Sequence, residues 1–422
     1  MLTDQYNNGL TTSSQTARDE YVAALDLILE GQGGTRTGFK SVVQADPQFA
    51  LGWVGLARAC QYASDMPAAL DAIATANGLI KGVSEREASQ VAAIGLLLSG
   101  KLAEAYDAIR QHVVAFPRDA LVAQTCSSVF GLIGFSGQPG REAEMLAFNA
   151  SLLPHFGEDW WALSQYAFAL CETGNLSKAD KLIDRALALN PRNAHGVHVR
   201  SHVSYELGET ETGRSFLSEW MRDYNPAGVM FTHLNWHEAL WALEQGDITQ
   251  MWAKVDAAVA PSAESGGPAI NILTDTASIL HRATMQGVDV GQDRWASLSD
   301  YALTAFPNTG NAFIDIHAAL AHAMAGREAA LAAIIEHPAG PAADLVPDLA
   351  RGFGAVAQQD WTAVVDYMTA AMSDLARIGG SRAQRDLVEQ TLITALIALN
   401  KKEEARVIAN LRRPVLAGQF AA

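Results

Sequence analysis

Eight of the chain's eleven histidines fall between His195 and His322. The densest run is His195-Gly-Val-His198-Val-Arg-Ser-His202, followed by His233 with His237, then His281, His317 and His322. Residues three, four or seven apart share one face of a helix, so the first trio points one way. Imidazole suits both proton transfer near neutral pH and transition-metal binding. The pairs His198/His202 and His233/His237 stand at i, i+4, the spacing of helical zinc ligands. These four are the metal candidates. No His-Glu-x-x-His accompanies them, and nothing else in the sequence points to a cofactor, so the spacing permits a divalent metal without demanding one. The other chemistry open to such a cluster is metal-free acid–base catalysis or substrate binding. No G-x-S-x-G, no P-loop and no strand-borne dinucleotide glycine fingerprint occurs.

The elements that must position these side chains are helical hairpins. Short turns recur at Gly100, Gly174, Gly208, Gly246 and Gly326, and Gly174 and Gly208 lie 34 residues apart, the period of a tetratricopeptide repeat. The segment Trp160 to Pro191 carries small and apolar residues at that repeat's packing positions: Ala167, Ala179, Ile183 and Ala186 around Gly174. Ala93, Ala105 and Ile109 do the same around Gly100, and Ala57, Ala69, Ile73 and Ala76 around Ser64-Asp65. Looser units follow around Gly137, Gly287, Asp360 and Asn400. A single hairpin cannot bury both of its apolar faces, so neighbours must stack. The expected fold is all-α: a right-handed superhelical TPR-like α-solenoid of about ten helical hairpins, strongly curved around a central concave cavity. One such domain is expected over 1–422, with a helical cap at 1–45, repeats at 46–258 and 271–335, and C-terminal repeats with a cap at 348–415. Pro/Gly-rich stretches at 259–270 and 336–347 read as connectors between uneven repeats.

The register turns positions into directions. First helices of such hairpins line the concave surface. That assigns His195, His198, His202, Tyr205 and Glu206 to it from one repeat, His233 and Trp236 from the next, and Trp161 from the one before. His322 falls on a packing position and reads as core, while His112, His155 and His337 look incidental.

Composition narrows the partners. Hydrophobic residues make up 49% and charged residues 18%, with a formal net charge of −16. An acidic surface without a Lys/Arg stripe argues against nucleic acid. No apolar run approaches the ~20 residues needed to span a bilayer, and the first residues show no secretory signal, so a cytoplasmic protein without a membrane partner is expected. Cys60, Cys126 and Cys171 lie far apart within apolar helical patterns and read as reduced core thiols.

Further pieces carry a resemblance: Asp275-Thr-Ala-Ser-Ile-Leu-His-Arg282, Phe313-Ile-Asp-Ile-His317, Gly379-Gly-Ser-Arg-Ala-Gln-Arg-Asp386 and the Trp236-His237 helix. In this order the chain resembles the tetratricopeptide repeat protein 38 family over essentially its whole length. The resemblance implies a shared site of His198, His202, His233, Trp236, His237, Asp275, Asp315, His317, Gln384, Arg385 and Asp386. Tyr205 stands where that pattern has glutamate, with Glu206 one residue late; Arg382 replaces a histidine and His281 a tryptophan.

The expected function is small-molecule binding with acid–base chemistry of hydrolase, lyase or isomerase type. His202 and His237 are the proton-transfer candidates, and His198 and His317 contact substrate or metal. Asp275 counts with the catalytic residues; Arg385, with Asp386 and Asp275, orients the histidines or binds a substrate anion, and Gln384 contacts substrate. Trp161, Trp236, His233, Tyr205 and Glu206 complete the lining. The rival is a non-catalytic scaffold binding a peptide or protein partner in the groove; a homo-oligomer is compatible with either. A third reading is a family member that has lost its activity.

Overall fold

A computed structural model describes residues 1–264 and 266–412. Residue 265 of the expected first connector and the end of the expected C-terminal cap, 413–415, lie outside them. The described chain is a TPR-like helical-repeat solenoid. Its helices are α1 (Gln15–Glu30), α2 (Thr35–Ala45), α3 (Ala50–Tyr62), α4 (Met66–Gly78), α5 (Glu85–Leu98), α6 (Leu102–Ala115), α7 (Ala120–Ser127) and α8 (Arg141–Phe156). Next come α9 (Trp160–Glu172), α10 (Leu176–Leu189), α11 (Ala194–Leu207), α12 (Thr210–Trp220), α13 (Phe231–Glu244), α14 (Ile248–Lys254) and α15 (Ala269–Met285). The last seven are α16 (Gln292–Ala305), α17 (Ala312–Met324), α18 (Glu328–Glu336), α19 (Val346–Ala357), α20 (Trp361–Met372), α21 (Arg382–Ala398) and α22 (Lys402–Arg412). None is long and apolar enough to cross a membrane.

The hairpins close by one device. The turn residue adopts left-handed backbone geometry, and its N–H and the next one bond back to the helix that has just ended. Gly174 N donates to Cys171 O (3.0 Å) and Asn175 N to Leu170 O (2.8 Å); Gly246 and Asp247 repeat the pattern on α13. Gly100, Gly174, Gly208, Gly246 and Gly326 have φ between 70° and 80°, where a glycine carries no Cβ penalty. In the looser hairpins Ser64, Gln359 and Asn400 hold the same geometry at φ 57°, 57° and 61°. An aspartate after the turn residue caps the next helix: Asp65 accepts from Ala68 N, Asp247 from Gln250 N and Asp360 from Ala363 N.

Burial follows the repeat register. Ala57, Ala69, Ala76, Ala105, Ile109, Ala167, Ala179, Ile183 and Ala186 are all inaccessible to solvent, since small side chains let paired helices approach closely. Truncating Ile183 at such a contact costs on the order of 2–5 kcal/mol. The three cysteines are free and buried, and burial pushes the Cys126 thiol up to about 12.

Three local features differ from the sequence pattern. The N-terminus carries a two-residue antiparallel ribbon, Leu2–Thr3 with Gly9–Leu10, too short to leave a periodic signal. Its turn is tied by the Asp4 carboxylate, which accepts from the N–H groups of Tyr6 and Asn8. Helix α14 runs on into a π-helical turn, Val255–Val259, burying Val255, Ala258 and Val259 where the connector was expected to begin. Within the second connector, Ala343–Leu345 form a 3₁₀ turn leading into α19.

Contacts divide the chain into two compact units interleaved in sequence. The first comprises Met1–Ile133, Ala143–Arg200 and Asp223–Phe231. The second comprises Gly134–Glu142, Ser201–Arg222 and the chain from Thr232 onward. The second unit has a continuous apolar core running from Trp236 and Leu240 through Leu273, Ile316 and Phe353 to Leu392.

Candidate functional site

Helix α13 is buried from Thr232 to Leu243 on every face, so its two histidines enter the interior of the second unit. His202, from the last turns of α11, meets them there. Ring centroids lie 4.8 Å apart for His202 and His237, 4.9 Å for His233 and His237, and 6.4 Å for His202 and His233. Their exposures are 0% for His202, 5% for His233 and 0% for His237. One ring nitrogen from each lies within 4.8 Å of those of the others. Trp236 stacks on His233 at 5.0 Å and closes the trio from the side. His198 sits one turn before His202 on the same helix, so the two share a face.

One ring is anchored. His233 Nδ1 lies 2.7 Å from Asp275 Oδ2 on α15, and Asn271 Nδ2 donates to the same oxygen at 3.3 Å. Because a carboxylate only accepts, the proton of His233 sits on Nδ1 and its Nε2 lone pair faces away from Asp275. This is the carboxylate–histidine arrangement that fixes the tautomer of metal-ligating imidazoles. Burial holds His237 far below the usual histidine range, with His202, His233 and Arg282 adding to the effect.

His317 on α17 behaves as a fixed acceptor. Its Nδ1 donates to Phe313 O at 2.6 Å, which leaves Nε2 as a lone pair; that atom is buried and receives no hydrogen bond. Burial depresses the ring to about 4, the Phe313 carbonyl and Asp275 working against the shift and Arg282 with it. Asp275 Oδ1 is likewise buried with no donor. His281 donates from Nε2 to Thr391 Oγ1 (2.9 Å), whose own hydroxyl is spent on Leu387 O, so His281 Nδ1 also lacks a donor. Asn311 caps α17, accepting from Phe313 N and Ile314 N, while Asp315 in its first turn accepts from Gly310 N, and burial raises the Asp315 carboxyl to about 6.

The Gly-Gly-Ser stretch has a different place. Ser381 and Gln384 form the capping box of α21. Arg385, expected to bind an anion, instead donates to Gly380 O (2.5 Å) and pairs with the Glu142 carboxylate. Asp386 accepts from Tyr205 Oη at 3.1 Å. Arg282 donates to Ser278 Oγ, Gln390 Oε1, Ala383 O and Tyr205 Oη. Arg141 binds three backbone carbonyls, of Gly134, Ala376 and Gly380. These guanidinium groups hold segments together; Arg141, at the start of α8, gave no sequence signal, and Arg282 entered only as the end of the Asp275 motif.

Most of the residues expected on an open concave face are buried, while His195 and Tyr205 are half-buried. His202, Tyr205, Glu206, His233, Trp236, His237, Asp275, His317, Gln384, Arg385 and Asp386 all belong to the second unit. Trp161 belongs to the first, where it packs on Phe156 at 5.2 Å; His195 is half-buried there. His322 is core, 4% exposed and bonded to Ser299 Oγ at 2.8 Å, and burial lowers it to about 4. His155 and His337 are exposed. His112 is not incidental: it is 1% exposed and bridges Ser89 Oγ and Asp119, which also pairs with Arg86 at 2.7 Å.

No family model matches the chain. Among solved structures it is similar to the human IFIT1 dimer with m7Gppp-AAAA (13% identity, TM-score 0.47, 99% of this chain and 97% of that one). It is also similar to yeast Tom70 (11%, 0.36, 97% and 95%) and to PilW, a type IV pilus biogenesis factor (13%, 0.27, 60% and 97%). Alignments this loose carry no residue-level or functional correspondence.

Proposed function

We propose that the protein acts on a small molecule at a divalent transition-metal centre whose ligands are His202, His233 and His237, leaving a fourth position for water or substrate. One observation carries the reading: three buried imidazoles converge within ligand distance, and the carboxylate of Asp275 holds one of them in the metal-ready tautomer. Neutral nitrogen donors in a dry interior suit zinc and its neighbours better than calcium or magnesium, which prefer oxygen. A bound ion would lower the pKa of a coordinated water and polarise a carbonyl, serving hydrolase, lyase or isomerase chemistry. The resemblance to the tetratricopeptide repeat protein 38 family belongs to this reading, since its Trp-His helix and its Asp275 helix both contribute here. The proposed compartment is the cytoplasm.

Metal analysis tests it. Full-length protein from cells grown with zinc, cobalt, nickel and manganese should carry about one ion per chain. The cobalt form should show the intense visible bands of a tetrahedral nitrogen site, and His237→Ala and His202→Ala should lose both. A wild type that refolds metal-free, gains no thermal stability from any of these ions and gives no cobalt bands would sink the proposal and leave the protein-binding scaffold in its place.

A further inference from the structure

Ser89, His112 and Asp119 form a line of hydrogen bonds inside the first unit, in chain order on α5, on α6 and at the start of α7. Ser89 Oγ lies 2.9 Å from His112 Nδ1, and His112 Nε2 lies 3.2 Å from Asp119 Oδ2. Two of these side chains forgo the bond that their kind makes elsewhere in the chain. Ser99, Ser127 and Ser164 donate to the helix carbonyl four positions back, whereas the Ser89 hydroxyl goes to the imidazole. Asp65, Asp159 and Asp360 cap their helices, whereas Asp119, at the N-cap of α7, makes no cap bond with its side chain and turns to His112. Burial pushes the Asp119 carboxyl up, but the His112 bond and the Arg86 guanidinium at 2.7 Å outweigh it and hold the group below its usual range. Asp119 is therefore an ionised acceptor. The proton of the neutral ring sits on Nε2, and Nδ1 is the lone pair that receives the Ser89 O–H. Ser89 is half-buried, while His112 and Asp119 are 1% and 4% exposed, so the hydroxyl stands at the outer end of a dry relay. Phe116 packs on the imidazole with its ring 5.2 Å away, and Ala92, one turn beyond Ser89, is exposed and offers only a methyl group on that face.

We propose that Ser89, His112 and Asp119 are the nucleophile, general base and orienting carboxylate of an esterase site in the first unit, a chemistry beyond the histidine centre of the second. Ser89 Oγ attacks the ester carbonyl carbon while His112 Nδ1 takes its proton. The C–O bond to the alcohol then breaks, and the leaving oxygen departs with that proton. Water, deprotonated by the same nitrogen, attacks the acyl carbon; the bond to Ser89 Oγ breaks, the serine recovers its proton and the carboxylic acid leaves. Arg86 binds the same Asp119 oxygen as His112, which keeps the carboxylate ionised and placed while weakening its pull on the imidazolium. The site therefore takes esters of acidic alcohols, above all aryl esters, whose leaving groups need least help. Ser89 stands within a helix, so no G-x-S-x-G elbow announces it.

The test treats full-length protein with a fluorophosphonate probe, whose phosphorus Ser89 Oγ would attack with loss of fluoride, and with p-nitrophenyl acetate. Peptide mass spectrometry should place the adduct on Ser89. Ester turnover should fall at least about tenfold in Ser89→Ala and in His112→Gln, with helicity checked by circular dichroism. Asp119→Asn should slow labelling of Ser89 by at least about tenfold, and Asp119→Glu should restore part of the rate; a merely structural aspartate would move the unfolding midpoint and leave the labelling rate alone. A wild type that carries no adduct on Ser89, or a folded His112→Gln whose Ser89 labels as fast, overturns the inference, because the line of bonds then only holds α5, α6 and α7 together. Should His112→Gln fail to fold, the wild-type adduct and Ser89→Ala decide alone.

Discussion

Replacing His317 with leucine should stabilise the ligand-free protein. The native imidazole is buried, neutral and bonded through Nδ1 to the Phe313 carbonyl, while Nε2 has no donor. Losing the Nδ1 bond costs about 0.5–1.5 kcal/mol, but the Phe313 carbonyl is not orphaned because it still accepts from the backbone of α17. Relieving an empty buried acceptor returns about 1–3 kcal/mol, and leucine fills a similar volume with an apolar group. The balance is about 1 kcal/mol in favour of His317→Leu, or a rise of roughly 2–4 °C in Tm for a unit of this size. Urea denaturation followed by tryptophan fluorescence, with calorimetry alongside, measures both. The same variant should lose whatever ligand response wild type shows, since stability and function trade off at such a site. A loss of stability greater than about 1 kcal/mol would refute the reasoning, because it would mean that Nε2 makes a structural bond.

The buried neutral histidines also set a pH dependence. His281, His317 and His322 titrate at about 3, 4 and 4 in the folded chain against 6.5 unfolded, so between pH 6.5 and 4 the unfolded state binds protons that the folded state refuses. Stability should therefore fall on acidification through that window; Asp315, raised to about 6, works in the opposite sense and partly offsets the slope. Urea midpoints at pH 7 and pH 5 should differ, and a flat profile would contradict the assignment. Arg141→Met should cost about 3–5 kcal/mol, because three carbonyls lose their donor at once; an unchanged urea midpoint would show that they find others. Gln359→Gly should stabilise by roughly 0.5–1 kcal/mol, since φ of 57° strains a side-chain-bearing residue, and a lower Tm would argue that the Gln359 side chain matters.

Much of the repeat was legible from residue types alone. Glycine at a left-handed turn and alanine at a close helix contact are each dictated by local sterics, so Gly174, Ala167 and Ala179 announce a hairpin without reference to anything distant. Ser64, Gln359 and Asn400 hide the same turn because their side chains only tolerate it. The trio His202, His233 and His237 was legible because helical spacing fixes direction. What spacing cannot supply is depth: His202 and Trp236 read as lining a groove and are fully buried, since burial depends on helices far along the chain. The role of Arg385 was illegible for the same reason, its partner Glu142 lying 243 positions away.

That separation has a consequence for how the protein is made. Residues 134–142 belong to the second unit, yet the carbonyl that Arg141 binds at Gly380 is translated 239 residues later. At about 5–20 residues per second, a nascent chain holds this segment without its partner for roughly 10–50 s. The stretch Asp223–Phe231 is likewise owed to the first unit after Ser201–Arg222 has already gone to the second. Neither unit can be excised as one contiguous fragment, and any cut between residues 142 and 376 separates groups that must meet. A late folding step is therefore written into the chain's order, and refolding from denaturant, where all segments are present at once, should be faster than completion on the ribosome.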